Sequence, residues 1–206
     1  INGSDGTSES MSMRVGGTLD RKTDWNKFDL DMIYNQTSSN GFQTQNNALL
    51  DARHDWFLGE SPWTLFVSTS LLYDEFQAFD LRLAWNGGVG YQFIETDRTN
   101  LIGRFGAGTS REFGGPDERW VPEALYGAEY KYQINACQKL SAKVDYFPDW
   151  EDFSSYRMIS DIGWEMLLDA EMNVSLKLSV IDQYDSTPNG AEPHLLNYAV
   201  LMLWKL

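Results

Sequence analysis

Cysteine, histidine, proline and positive charge are all scarce in this chain of 206 residues, which holds one cysteine, two histidines, six prolines and only 16 Lys and Arg. Cys137 alone can close no intrachain disulfide and build no zinc cluster. In the turn Asn135-Ala136-Cys137-Gln138 it reads as a tolerated small residue. Against the 16 bases stand 30 acids, a net charge of −14 and a pI near 4.4. Nucleic acid is excluded as a partner, because its phosphates need clustered Lys and Arg. No apolar run approaches the roughly 18 residues of a membrane-spanning helix. That excludes helical membrane proteins and leaves barrels open, since barrel strands carry a much weaker hydropathy signal. No signal-peptide pattern opens the chain at Ile1, so a mature or N-terminally truncated form is expected. No glycine-rich phosphate loop leading into a helix is found, and no cofactor is expected.

What the chain has is alternation. In Asp80 to Gly108, DLRLAWNGGVGYQFIETDRTNLIGRFGAG, the residues Leu81, Leu83, Trp85, Val89, Tyr91 and Phe93 share one parity. Arg82, Asn86 and Gln92 share the other, which is the period of a β-strand. The same pattern recurs along the chain, and eleven strands are predicted with no helix. The links between them alternate in length. RKTD, GESP, TDRT, NACQ and DAE are short, whereas NGSDGTSE, TSSNGFQTQ, GGPDER, FPDWEDFSS and DSTPNGAEPH are mostly longer. Outer-membrane barrels have short periplasmic turns and longer outer loops.

The apolar parity carries aromatics near strand ends. Trp56, Trp63, Tyr73, Phe79, Phe93, Tyr132, Tyr156, Trp164 and Trp204 form the expected girdles, which suit side chains with one apolar and one wet end at the lipid interfaces. Strand length agrees: a rise of about 3.3 Å per residue at a tilt near 40° needs around ten residues for an apolar band about 25 Å tall. A soluble barrel with the apolar parity inside would have to fill a wide interior with about ten aromatics, whereas small soluble barrels close with about eight strands. The expectation is therefore one domain over residues 1–206, a transmembrane antiparallel up-and-down β-barrel in the bacterial outer membrane.

The polar parity would then face a lumen. Arg14, Asp29, Asp31, Asp51, Arg53, Asp80, Arg82, Arg104, Glu129, Lys131, Lys143, Asp145, Arg157, Asp161, Glu165 and Lys177 are its expected charge network. Both signs are interleaved, which fits a lumen knitted by ion pairs better than a pore biased to one sign. A small-solute or ion channel is the alternative, because about twelve strands fall between filled eight-stranded barrels and open sixteen-stranded porins. The net negative charge then resides mainly in outer loops, at Asp74, Glu75, Asp117, Glu118, Asp149, Glu151, Asp152, Asp182, Asp185 and Glu192. These carboxylates could take divalent cations through hard oxygen ligands. Outer-membrane lipid and another envelope protein are the other expected partners.

A lipid hydrolase reading centres on His54, which has the apolar parity. Phe57 and Leu58 follow it and Thr69 is the nearest hydroxyl on the next strand, so a base stands without an activated nucleophile. No enzyme is expected.

The stretches YDEFQAFDLRLAWNGGVGYQFIETDRTNL and SLKLSVIDQYDSTP resemble the YdiY-like family, whose members are described as salt-induced outer-membrane proteins and form a domain family of unknown function. The resemblance runs over nearly the whole chain and is most specific in the Gly-Tyr-x-Phe-Ile-x-Thr-Asp-Arg-Thr hairpin. It implies an outer-membrane barrel with one further, Trp-containing strand before Ile1, ending in the loop that NGSDGTSES resembles. Eleven plus one gives about twelve, the even number that puts both termini on the periplasmic side. Family chains usually end on an aromatic residue, whereas this one ends on Leu206 with Trp204 two residues earlier. The resemblance brings no catalytic residues.

Overall fold

The computed structural model describes residues 2–4 (backbone only), 10–116 and 118–204. Among them there are twelve strands and no helix: β1 (Asn2–Ser4), β2 (Ser10–Lys22), β3 (Asn26–Ser39), β4 (Phe42–Phe57), β5 (Trp63–Asp74), β6 (Leu81–Glu95), β7 (Thr99–Phe113), β8 (Trp120–Asn135), β9 (Gln138–Pro148), β10 (Tyr156–Asp169), β11 (Val174–Asp185) and β12 (His194–Trp204). Each strand is hydrogen-bonded to the next in chain order. Pairing is antiparallel through β1–β5 and again through β8–β12. This is the up-and-down order that alternating hairpins with short links dictate.

Two expectations at the strand ends are corrected. Asn2–Ser4, expected as loop, is a short strand that pairs with Ser10–Ser12. Backbone pairing does not require the hydrophobic alternation by which the other strands were recognised. The long polar loop expected over TSSNGFQTQ is also absent. Strands β3 and β4 run on to Ser39 and Phe42, leaving only Asn40 and Gly41 between them. Both have positive φ, 50° and 79°. Asn-Gly is the pair that a two-residue type I′ hairpin demands, since both central residues must be left-handed. A bulge between Thr37 and Ser38 adjusts the register just before that turn.

Burial is inverted relative to a water-soluble protein. Among the described residues the buried set holds fourteen polar or charged side chains against eight apolar ones, Pro148 included. Asp29, Asn35, Asn47, Asp55, Arg104, Glu129 and Asp145 are all buried, while Met32, Trp85, Phe105, Ile162 and Val200 are exposed. Exposed apolar surface on this scale needs a cover, and a bilayer supplies one without a partner protein. The contacts divide the chain into two units, residues 1–88 with 107–123 and 188–191, and residues 89–106 with 124–187 and 192–206. Each carries its own polar face.

Candidate functional site: the polar face

Because side chains alternate along a strand, register alone decides which charges of neighbouring strands meet. In the first unit Asp29 lies opposite Asp20 on one side and Arg53 on the other. The Arg53 guanidinium bonds Asp29 at 3.0 Å and Asp55 at 3.0 Å, and Lys27 reaches Asp29 at 2.6 Å. Four charges thus form one connected cluster across β3 and β4. One step along, Asp31 faces Asp51 directly and accepts a hydrogen bond from Thr18 at 2.8 Å. Further along, buried Asn35 donates to Asn47 at 2.8 Å. Arg82 pairs with Glu112 and lies 4.4 Å over the Phe79 ring.

In the second unit the signs alternate from strand to strand. Glu129 faces Lys143, which faces Asp161. Lys139 faces Glu165, which faces Lys177. The buried Arg104 bonds Glu129 at 3.0 Å, and Lys131 approaches the same carboxylate at 2.6 Å. Lys143 also holds Asp145 at 2.9 Å, and Lys139 lies 3.6 Å from Glu165. Arg157 faces Asp185 and stacks 5.1 Å over Phe147. Arg14 lies opposite Asn35.

Two sequence expectations fail. Asp80 is exposed in the link before β6, outside the strand whose parity placed it in the charge network, and its N–H donates to Phe113 O at 2.9 Å. Phe79 is 5% exposed and packs beneath Arg82, so it is not part of an interfacial girdle. Both lie one or two residues before Leu81, where β6 begins, and strand parity does not extend into a turn. The expected charge network also left out Glu112, Glu123 and Lys139. Glu123 accepts a 2.8 Å hydrogen bond from Ser110. Continuing the β7 parity past Gly108 from Arg104 would have found Glu112, because β7 runs on to Phe113.

The apolar face keeps its aromatics at the strand ends. Trp56, Trp63, Tyr73, Phe93 and Trp204 are exposed, while Tyr132, Tyr156 and Trp164 are half-buried. A row not foreseen crosses the six strands β7 to β12. Phe105 lies 5.2 Å from Tyr126, and Tyr126, Tyr146, Tyr156, Tyr184 and His194 follow with ring separations of 6.3, 5.2, 5.5 and 4.8 Å. Rings with a wet edge and an apolar body suit a lipid–water boundary. In the first unit His54 sits near the end of β4, 4.4 Å from the Trp56 ring and 6.1 Å from Phe28, and its Nε2 is buried without a hydrogen-bond partner. Thr69 donates its hydroxyl to Ala84 O at 3.2 Å.

Several of the loop acids turn their own loops. Asp74 accepts from Phe76 N–H, Asp149 from Glu151 N–H and Asp185 from Thr187 N–H, at 3.0, 2.7 and 2.9 Å. Asp182 meets His194 at 3.2 Å. No three His, Cys, Asp or Glu converge to hold a metal ion among the described residues, and Asp117 and Leu206 lie outside them. Asp152 accepts from the Ser154 hydroxyl at 2.6 Å and its N–H at 3.0 Å, and these bonds hold its carboxyl below the usual range of an aspartate. Their contribution to loop order is present above the unfolded pKa and is lost as pH falls through the lowered one. An NMR titration should place Asp152 below an unperturbed aspartate and Ser154→Ala should raise its midpoint; an unchanged midpoint in the variant would refute the assignment.

An up-and-down sheet with an ion-paired polar face and an exposed apolar face edged by aromatics defines an outer-membrane β-barrel. The fold is shared with the solved structure of the NanC porin, at a TM-score of 0.56 and 10% identity over 99% of this chain and 96% of that one. The sequence profile of the family described as "Protein of unknown function, DUF481" matches residues 1–196, and the chain belongs to that family. No curated protein matches the sequence.

Proposed function

We propose that this protein is a structural or partner-binding component of the outer membrane, without enzymatic activity, whose lumen is closed by ion pairs and whose short turns face the periplasm. The Arg53 cluster, with one guanidinium at 3.0 Å from both Asp29 and Asp55, carries the reading. The trio Arg104, Glu129 and Lys131 repeats it in the second unit. Charges satisfied by their neighbours on the wall present no ring of one sign to a passing ion. In planar bilayers the purified protein is expected to give no steady conductance. Ohmic steps that persist at low voltage would overturn the closed lumen.

A second reading, a cation-preferring conduit, is favoured by one observation. Asp20 lies opposite Asp29 and Asp31 opposite Asp51. Like charges directly across a strand pair destabilise the sheet, and a cation between them would relieve the repulsion. The NanC neighbour is itself named a porin. If channels are seen, this reading expects the reversal potential in a KCl gradient to report cation preference in the wild type. Asp31→Asn with Asp51→Asn should weaken that preference.

A further inference from the structure

We propose that the apolar face of β2–β5 holds the phosphate of one phosphatidylglycerol molecule between Arg21 and His54, at the end where the short links turn. The inference rests on the proposed outer-membrane reading, in which short turns face the periplasm and this end meets the phospholipid leaflet.

Register places the two residues. Arg21 lies opposite Phe28, Phe28 opposite His54 and His54 opposite Val67, one row across four strands. The links at 23–25 and 58–62 close the strands at this end. Arg21 has the parity of Val15, Gly17 and Leu19, whereas its neighbours Asp20 and Lys22 point the other way.

Neither basic residue is spent on a neighbour. Arg21 is exposed and has no ion pair or hydrogen bond from its side chain among the described residues. That separates it from Arg53, Arg82 and Arg104, which pair with carboxylates on the polar face. His54 Nε2 is buried without a partner. An apolar residue would pack against Phe28 and Trp56 without leaving a ring nitrogen unsatisfied, so packing alone does not call for histidine. Although the chain holds 30 acids, no Asp or Glu of β2–β5 shares this face among the described residues. Asp24 and Glu60 lie beyond it, in the turns.

The spacing suits a phosphate. Directly opposite residues lie about 5 Å apart, which puts the Arg21 and His54 backbones about 10 Å apart with Phe28 between them. The long Arg21 side chain reaches over Phe28, and rotation of the imidazole about its Cβ–Cγ bond turns a ring N–H toward the same point. A phosphate above the Phe28 ring then accepts from both. Trp25, Trp56 and Trp63, all exposed, stand at this end, at the depth where aromatic side chains meet lipid headgroups. Charge complementarity selects the headgroup. Phosphatidylglycerol carries phosphate as its only charge, whereas phosphatidylethanolamine adds an ammonium for which this face supplies no carboxylate.

Native mass spectrometry of the full chain in nonionic detergent, with equal phosphatidylglycerol and phosphatidylethanolamine, tests the assignment. The wild type is expected to retain one lipid with about tenfold preference for phosphatidylglycerol. Arg21→Gln and His54→Phe should each bring the two lipids close to equal retention. Lys22→Gln removes the adjacent cation from the opposite face and should keep the wild-type preference. Equal retention of both lipids by the wild type would overturn the proposal. So would an equal loss of preference in Lys22→Gln, which marks a response to overall charge, or release of the lipid by excess inorganic phosphate, which marks a site for the free ion. Insertion into liposomes, followed by unheated gel mobility, reports folding of each form, and Arg21→Gln, at an exposed strand end, carries the test if His54→Phe does not fold. Failure of the wild type to insert would sink the membrane reading as well, whereas insertion without lipid preference would sink this inference alone.

Discussion

Arg104→Met is expected to lower the unfolding free energy by about 3 kcal/mol, near the lower end for breaking one side of a buried ion pair. Arg104 is 8% exposed and its guanidinium lies 3.0 Å from a Glu129 carboxylate that is itself buried. Removing the cation leaves that carboxylate away from bulk water, with Lys131 still beside it at 2.6 Å. The remaining lysine is why the lower end is expected. Arg104→Met combined with Glu129→Met should recover most of the loss, because deleting both charges removes the desolvation cost together with the attraction. Lys131, with a side chain 41% exposed, loses little when its partner goes. Urea titrations of tryptophan fluorescence in detergent micelles measure all three variants. A double variant no more stable than Arg104→Met would show that the pair is not the source of the effect.

Gly108→Ala should cost about as much, roughly 3 kcal/mol or more, for a steric reason. A Cβ at Gly108 would lie 1.9 Å from Trp85 O and 2.8 Å from Asn86 Cα. Both are backbone atoms of the preceding strand and cannot rotate away, so strands β6 and β7 would have to separate locally. Gly103 provides the contrast on the same strand. Its added Cβ would come 2.6 Å from the Phe93 ring, a side chain 62% exposed and able to swing aside. Gly103→Ala is therefore expected to cost under about 1 kcal/mol, and Gly17→Ala, which meets nothing, to be nearly neutral. Comparable loss in all three would refute the close-approach argument.

The glycines show how far the sequence could be read. Gly87, Gly88 and Gly90 stand out as a cluster in the sequence, but a backbone-tight approach falls on Gly108, across from Trp85 and Asn86. At Gly87 an added Cβ would meet only Phe66 O at an ordinary 3.5 Å. Close approach is a property of two strands, and one strand's sequence reports only half of it. Similarly, the Asn-Gly hairpin at Asn40 was legible from local turn chemistry, yet the surrounding polar residues suggested a long loop. They are strand residues whose pairing continues beyond the apolar span.

The alternation of apolar and polar residues by itself determined the strands, their order and the two faces, because a period of two is written residue by residue. It also determined that the polar face would hold charges of both signs. The tertiary structure alone decided which charges meet. Arg53 bridges Asp29 and Asp55, Arg82 pairs with Glu112, and Asp31 faces Asp51. It also decided that Phe79 and Asp80 belong to a turn. Pairing depends on the register between strands, and a one-residue slip would flip every side chain to the other face without changing the pattern within either strand.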